Sequence, residues 1–284
     1  MPALDTLVTG SRITAIADAI RERAGTSGRM TLGQMPAAIA AIPAGGGPNA
    51  IASQVLYRGY STTPDSYVDV TAEDFGDEGA NTIIRAMAFA VDGPSYRSSQ
   101  RLRSVEIPSW VTQVDYRAFY YSAITSLLAP GDTVLTLGQG VFMYATGLTA
   151  LSVERPVELY SYGSQFSMCT GLASVDQEIR AKSGTTYVPG NCFSGCTALA
   201  SVRLRSTATA LSVATRAFGG CTALMELVLD FGAVASLTNT SLTGVPDGCA
   251  IYVRDALVDS YRAAANWSAR AEHIFPLSEW EAQP

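Results

Sequence analysis

The chain of 284 residues is 48% hydrophobic and 15% charged, enough apolar material for a core in one or two domains and too little charge for a disordered polymer. Its net charge of −6 and pI near 4.9 argue against a polyphosphate partner, which calls for a basic face, so nucleic acid is not expected as a ligand. No apolar run approaches the roughly 20 residues that cross a bilayer, and the first residues lack a basic segment followed by an apolar signal core. The expectation is a protein made in a cytoplasm, without signal peptide or membrane insertion.

Residues 1–42 read as a helical module. Ile13, Ile16, Ala17, Ile20 and Ala24 fall at helical spacing, charged residues take the other side, and Gly25 ends the run. Pro36 suits the first position of a second, shorter helix that carries Ile39 and Ile42. Two helices this small bury little alone, so Ile13, Ile16, Ile20, Met35, Ile39 and Ile42 are candidate docking residues toward a partner or a second copy. Residues 43–50, rich in Gly and Pro, read as a flexible linker. Residues 51–84 alternate like strands around an acidic turn and are expected to cover the open end of the region that begins at residue 85.

From residue 85 to 253 one pattern recurs. Phe89, Phe119, Phe142, Phe166, Phe193 and Phe218 return roughly every 25 residues. Five residues before them stand Ile84, Val114, Leu137, Ser161, Val188 and Val213; three after the last three stand Cys169, Cys196 and Cys221. Leu148, Leu172, Leu199 and Leu224 come at the sixth place. Units this short cannot bury their own apolar face and must stack on one another, which makes a solenoid. Each rung is expected to hold a strand at the Leu-x-Ser-Val text, a turn, a second short strand and a tight corner at Phe-x-x-Cys. The apolar residue is missing at Ser161 while Leu159 and Tyr162 flank it, which predicts a local register shift or bulge. An insertion at residues 91–101 loops out of the first rung.

Residues 254–284 read as a cap. Asp255 is placed as a helix N-cap ahead of Leu257, Val258, Tyr261 and Ala264, and Trp267, Ile274, Phe275 and Leu277 continue an apolar tail.

No residue set specifies a reaction. The single His273 sits in an apolar tail, and no nucleophile elbow, phosphate loop or zinc-spaced Cys/His set appears, so no catalytic residue, cofactor or metal is expected. The five cysteines are an odd count, and three share one repeat position, which suits buried thiols better than disulfides. Glu73, Asp74, Asp77 and Glu78 lack EF-hand spacing and read as a solvated turn. A two-carboxylate glycosidase is the third-ranked reading, since no pair stands out. Tyrosines are the one surface feature above background: Tyr116, Tyr120, Tyr121, Tyr144, Tyr160 and Tyr162 crowd the second to fourth rungs, where later corners carry Gly195 and Gly220. Tyr suits recognition because it offers contact area and a polar tip with little rotamer freedom to lose.

Residues 81–253 resemble BspA-like leucine-rich repeats, with Asn191-Cys-Phe-Ser-Gly-Cys-Thr-Ala-Leu and Arg216-Ala-Phe-Gly-Gly-Cys-Thr-Ala-Leu as the nearest copies. The resemblance implies an α+β chain: a leucine-rich-repeat-like β-solenoid of six to seven rungs, with the N-terminal helical module and a C-terminal helical cap. Ile13-Thr-Ala-Ile-Ala-Asp-Ala-Ile-Arg and Leu32-Gly-Gln-Met-Pro look like the N-terminal module of phage and prophage virion proteins, and the segment from Ile251 resembles closing segments from the same setting. That implies a non-enzymatic virion structural or adhesion protein. Its module would hold other virion proteins or a second copy, and its solenoid a host-surface protein or glycan. The alternative is a bacterial surface or secreted leucine-rich repeat adhesin.

Overall fold

Sixteen strands run through residues 68–72, 82–84, 86, 88, 102–181 and 183–283, the residues that the computed structural model describes. The helical module, the linker, the acidic turn, the 91–101 insertion and Phe89 all lie outside them. In chain order the strands are β1 (Val68–Val70), β2 (Ile83–Ile84), β3 (Leu102–Glu106), β4 (Gln113–Val114), β5 (Ser126–Leu128), β6 (Leu135–Leu137), β7 (Ala150–Leu151) and β8 (Val157–Leu159). They continue as β9 (Ser174–Glu178), β10 (Thr186–Val188), β11 (Ser201–Ser206), β12 (Leu211–Val213), β13 (Glu226–Phe231), β14 (Ser236–Leu237), β15 (Ala250–Val253) and β16 (Ile274–Pro276). The odd strands line one wall, as the sheets β1-β3-β5 and β7-β9-β11-β13-β15 with β16 added beyond β15; the even strands β2 to β14 line the other, and every pairing is parallel. Each odd–even pair from β1–β2 to β13–β14 is one turn of a β-solenoid of about seven turns, built mostly of strand.

Strand formation tracks the repeat text. In β11 the burial alternates residue by residue, with Val202, Leu204 and Ser206 inward, and its register sets Val202 against Val175 on one side and Leu227 on the other. The Leu-x-Ser-Val text thus builds an inward column.

The corner after each even strand is also a ladder. Arg117, Phe119 and Tyr121 donate their N–H groups to Gln139, Val141 and Met143 of the next turn at 3.1, 2.9 and 2.9 Å, while Ala118, Tyr120 and Ser122 bond backward within the corner. Alternating these directions takes a left-handed residue at either end. The position two before the Phe is left-handed at Arg117, Gly140, Ser164, Asn191 and Arg216, with φ from 52° to 62°.

Inside this corner Phe119, Phe142, Phe166, Phe193 and Phe218 are fully buried. Neighbouring rings lie 5.3 to 5.5 Å apart and within 11° of parallel. Strand stacking supplies a repeat of about 4.8 Å, so the rings slide off one another into the offset geometry that aromatic pairs favour. The cysteines fill the space behind them: Cys169, Cys196 and Cys221 each donate to the carbonyl of the preceding turn's Phe142, Phe166 or Phe193 at 3.1 Å. All five cysteines are free and buried.

Where the repeat is interrupted, long polar side chains bridge turns. Arg155, fully buried, donates from Nε to Thr133 O at 2.7 Å, from Nη2 to Thr133 Oγ1 at 2.6 Å and from Nη1 to Pro108 O at 3.2 Å, joining three successive turns. Burial lowers the pKa of its guanidinium, and these acceptors hold it in place. Ser161 is exposed, and Leu159 stands in register with Leu137 instead, so the strand ends two residues early, as the missing apolar residue predicts. The two extra residues form a bend at Gly163, whose φ of +80° and approach to Gly190 O leave no room for a Cβ. The buried Gln165 donates from Nε2 to Tyr160 O at 2.8 Å and secures the bend.

After β15 the chain forms a 3-10 turn (Asp255–Leu257), the helix α1 (Val258–Ala263), a second 3-10 stretch (Ser268–His273), β16 and the helix α2 (Leu277–Glu281). Side chains here bond carbonyls of the last full turn: Trp267 Nε1 to Ala235 O at 2.7 Å, Asn266 Nδ2 to Leu237 O at 2.6 Å, and Arg270 to Pro246 O and Val245 O. Tyr261 and Trp267 are fully buried against one another. Leu277 and Trp280 of α2 pack over Val228 and Tyr252, on the outer face of the odd-strand wall. Asp255 is not the N-cap expected from the sequence. It is the first residue of the 3-10 turn, after Arg254, and its Oδ1 instead accepts from the Ser278 N–H at the start of α2 at 3.1 Å.

The ladder makes two predictions. Phe193→Ala, which removes a ring stacked on both sides, should cost about 3–5 kcal/mol; a loss below about 1 kcal/mol by denaturant unfolding would remove the stacking account. Burial pushes the Cys169 and Cys221 thiols up to about 12 and the Cys249 thiol up to about 11, from an ordinary 9.0. The folded chain then keeps protons that the unfolded chain releases, so stability is complete below about pH 9 and falls as pH rises toward the folded values. Denaturant midpoints should decline in that window, and less steeply in a Cys169→Ala/Cys221→Ala double variant; equal slopes for the two proteins would overturn this.

Candidate functional site

The position two after the stacked Phe, or after Leu242 that stands in its place in the last corner, is left-handed in every described corner. It is Tyr121 (φ 57°), Tyr144 (64°), Met168 (62°), Gly195 (75°), Gly220 (76°) and Gly244 (81°). Glycine adopts this conformation freely, whereas a side chain pays about 1–2 kcal/mol there. The last three turns show what the corner geometry favours, and the three before them keep large side chains in spite of it.

Those side chains form a surface. Tyr121 and Tyr144 stack at 4.2 Å and 13°. Tyr120 meets Tyr121 edge-on at 4.7 Å and Tyr144 at 5.9 Å. The Arg117 guanidinium lies 4.9 Å from the Tyr116 ring centroid and 4.6 Å from that of Tyr120, within cation–π range. Four of the six tyrosines singled out in the sequence thus converge on one corner with an arginine between them, and all four are half-buried. Met168 extends the same column, and its Sδ would sit 2.3 Å from a Cβ built on Gly195, so the thioether occupies the room the glycine leaves.

Tyr160 and Tyr162 do not join this cluster. They pair with each other at 5.4 Å, are 46% and 71% exposed, and belong to the bend of the fourth turn. Sequence reasoning missed Arg117 and Met168. The signal for Met168 was its place two after Phe166, the same offset that marks Tyr121 and Tyr144. Arg117 carries no steady repeat signal, because Gly140, Ser164 and Asn191 share its position and the arginine returns at Arg216. The candidate docking residues Ile13, Ile16, Ile20, Met35, Ile39 and Ile42 lie outside the described residues.

The arrangement offers aromatic faces, a cation and a methionine on a rigid support, and holds no general base beside a nucleophile. Among the described residues no three His, Cys, Asp or Glu side chains gather as a metal site, and no helix is long and apolar enough to cross a membrane.

Stacked turns with buried Phe and Leu columns, and with their variable residues facing outward, define a leucine-rich repeat protein of the β-solenoid type. The chain belongs to the BspA-type leucine-rich repeat family, whose repeat pattern matches it in six copies over residues 81–178 and 176–243. No curated protein matches the sequence. A solved structure similar in part is that of a leucine-rich cell surface protein from Faecalibacterium prausnitzii A2-165. It is 17% identical over 65% of this chain and 68% of that chain, with a TM-score of 0.26, a likeness too slight to carry an argument.

The corner yields a prediction that separates function from folding. In a Tyr121→Gly/Tyr144→Gly variant the relief of left-handed strain should offset the lost ring contacts, leaving the melting midpoint within about 4 °C of the parent. A fall of about 10 °C or more would make these rings part of the structural core.

Proposed function

We propose that this chain is a non-enzymatic adhesion protein of the bacterial surface or secreted kind, which holds a macromolecular partner against the tyrosine and arginine corner of its solenoid. The observation that carries the reading is the left-handed column. Three consecutive turns keep Tyr121, Tyr144 and Met168 at positions that the next three turns give to glycine, a local cost that the stacking itself does not require. Tyr and Arg are also the residues that most often anchor interfaces. In this reading residues 1–42 attach the protein to its support or to a second copy, 43–50 link them to the body, 51–84 cover the first turn and 254–284 cap the last. The virion reading rests on likeness in the end segments, and no feature of the corner favours it over a cell-surface role.

The full-length protein and its Tyr121→Gly/Tyr144→Gly variant can be passed over an array of purified extracellular-matrix proteins and mucin-type glycoproteins. The expected result is micromolar or tighter retention on at least one surface, weakened about tenfold or more in the variant. Equal retention of both proteins, or retention of neither, would overturn the proposal.

A further inference from the structure

The even-strand wall is broken once among the described residues. Its strands run β2-β4-β6-β8 and then β10-β12-β14, with no pairing from β8 to β10. Two local causes account for the break. In the other turns the residue after the even strand donates its N–H to the strand end one turn back: Asp115 to Ile84, Gly138 to Val114, Tyr160 to Leu137, Ala214 to Val188 and Thr238 to Val213, at 2.7 to 3.2 Å. After β10 that residue is Pro189, which has no N–H to offer Leu159. In addition, the chain leaving β9 turns in toward β8, where Ile179 bridges Val157 and the Arg180 N–H takes Val157 O at 2.9 Å.

The break opens a cleft of about 170 Å³. Tyr160 stands on one bank and Tyr187 on the other, 46% and 39% exposed, with Leu159 as floor and Glu158 and Arg180 at the sides. Thr136 Oγ1 donates to Glu158 Oε2 at 2.9 Å, and Arg180 pairs with Glu178, so both charged groups are oriented by neighbours. The exposed hydroxyls of Ser161 and Ser183 complete the rim.

We propose that this cleft is a subsite for one neutral hexopyranose ring, an end or branch unit of a glycan. The volume falls below the roughly 300–1,000 Å³ of drug-sized pockets and suits a single ring. Tyrosine faces on opposite banks suit the C–H faces of a sugar, which are apolar, while its hydroxyls both donate and accept and so match a carboxylate beside a guanidinium. Among the described residues two carboxylates, Glu158 and Glu178, flank the one guanidinium of Arg180, and this balance disfavours an anionic ligand. An added peptide strand is excluded by space: it would need β8 and β10 about 9.6 Å apart, and their Cα atoms still approach within 8 Å. The inference rests on the reading of the solenoid surface as a binding surface, but uses residues separate from the Tyr121 corner.

The test titrates full-length protein with the methyl glycosides of glucose, galactose and mannose, monitored by ligand-observed NMR, with methyl sialoside as the anionic probe. At least one neutral glycoside should bind in the millimolar range and the sialoside more weakly. Tyr187→Ala should weaken the neutral sugar about tenfold, Arg180→Gln should weaken it with the fold intact, and Tyr121→Gly/Tyr144→Gly should leave it unchanged. Absence of binding by all three neutral glycosides, preference for the sialoside, or affinity indifferent to both Tyr187→Ala and Arg180→Gln would overturn the subsite. Loss of sugar binding in the corner variant would move the site to the corner. Retention on protein surfaces that persists in Tyr187→Ala while sugar binding is lost separates the two proposals.

Discussion

The hydrogen-bond spacing between turns, about 4.8 Å along the stack, governs this protein. Each turn must present its backbone donors and acceptors in register with the next, so a residue at one place in the repeat stands directly over its counterparts. A side chain that fits once fits repeatedly, which is why a single Phe position can hold five parallel rings and a single Cys position three thiols bonded to the same kind of carbonyl. The corner obeys the same rule by alternating N–H groups along and within the turn, and this alternation creates the left-handed positions on either side of the Phe.

A stack also needs partners for its polar groups where repetition stops. At those places side chains take over from backbone. Arg155 bridges turns and Gln165 holds the bend inside the body, and Trp267, Asn266 and Arg270 satisfy the carbonyls of the last turn, which a further turn would otherwise bond. The edge strand β16 is three residues long and contains Pro276, a combination that blunts an edge against pairing with another chain.

Departures from the repeat are therefore where specific surface arises. A regular turn has its inward residues committed to the core and its corner residues committed to glycine-like geometry. Tyr121, Tyr144 and Met168 break the second commitment, and Pro189 with the loop after β9 breaks the ladder. Both departures expose tyrosine on a support that the neighbouring regular turns keep rigid, which lowers the entropy lost when a partner is held.

The periodic text alone determined the solenoid, its buried Phe and Cys columns and the bulge at Ser161, because one-dimensional stacking turns sequence period directly into spatial contact. It also marked the tyrosine-rich turns. Only the tertiary structure decided that Tyr116, Tyr120, Tyr121 and Tyr144 share one corner while Tyr160 and Tyr162 stand apart, since the two extra residues at the bend shift those side chains off the column. It alone placed Asp255 on the start of α2, a contact between segments 23 residues apart that local capping rules do not address. The split between β8 and β10 has the same character. Pro189 is visible in the sequence, but the missing N–H matters only because stacking aims that position at Leu159, and the register of one turn on another is set by the whole ladder.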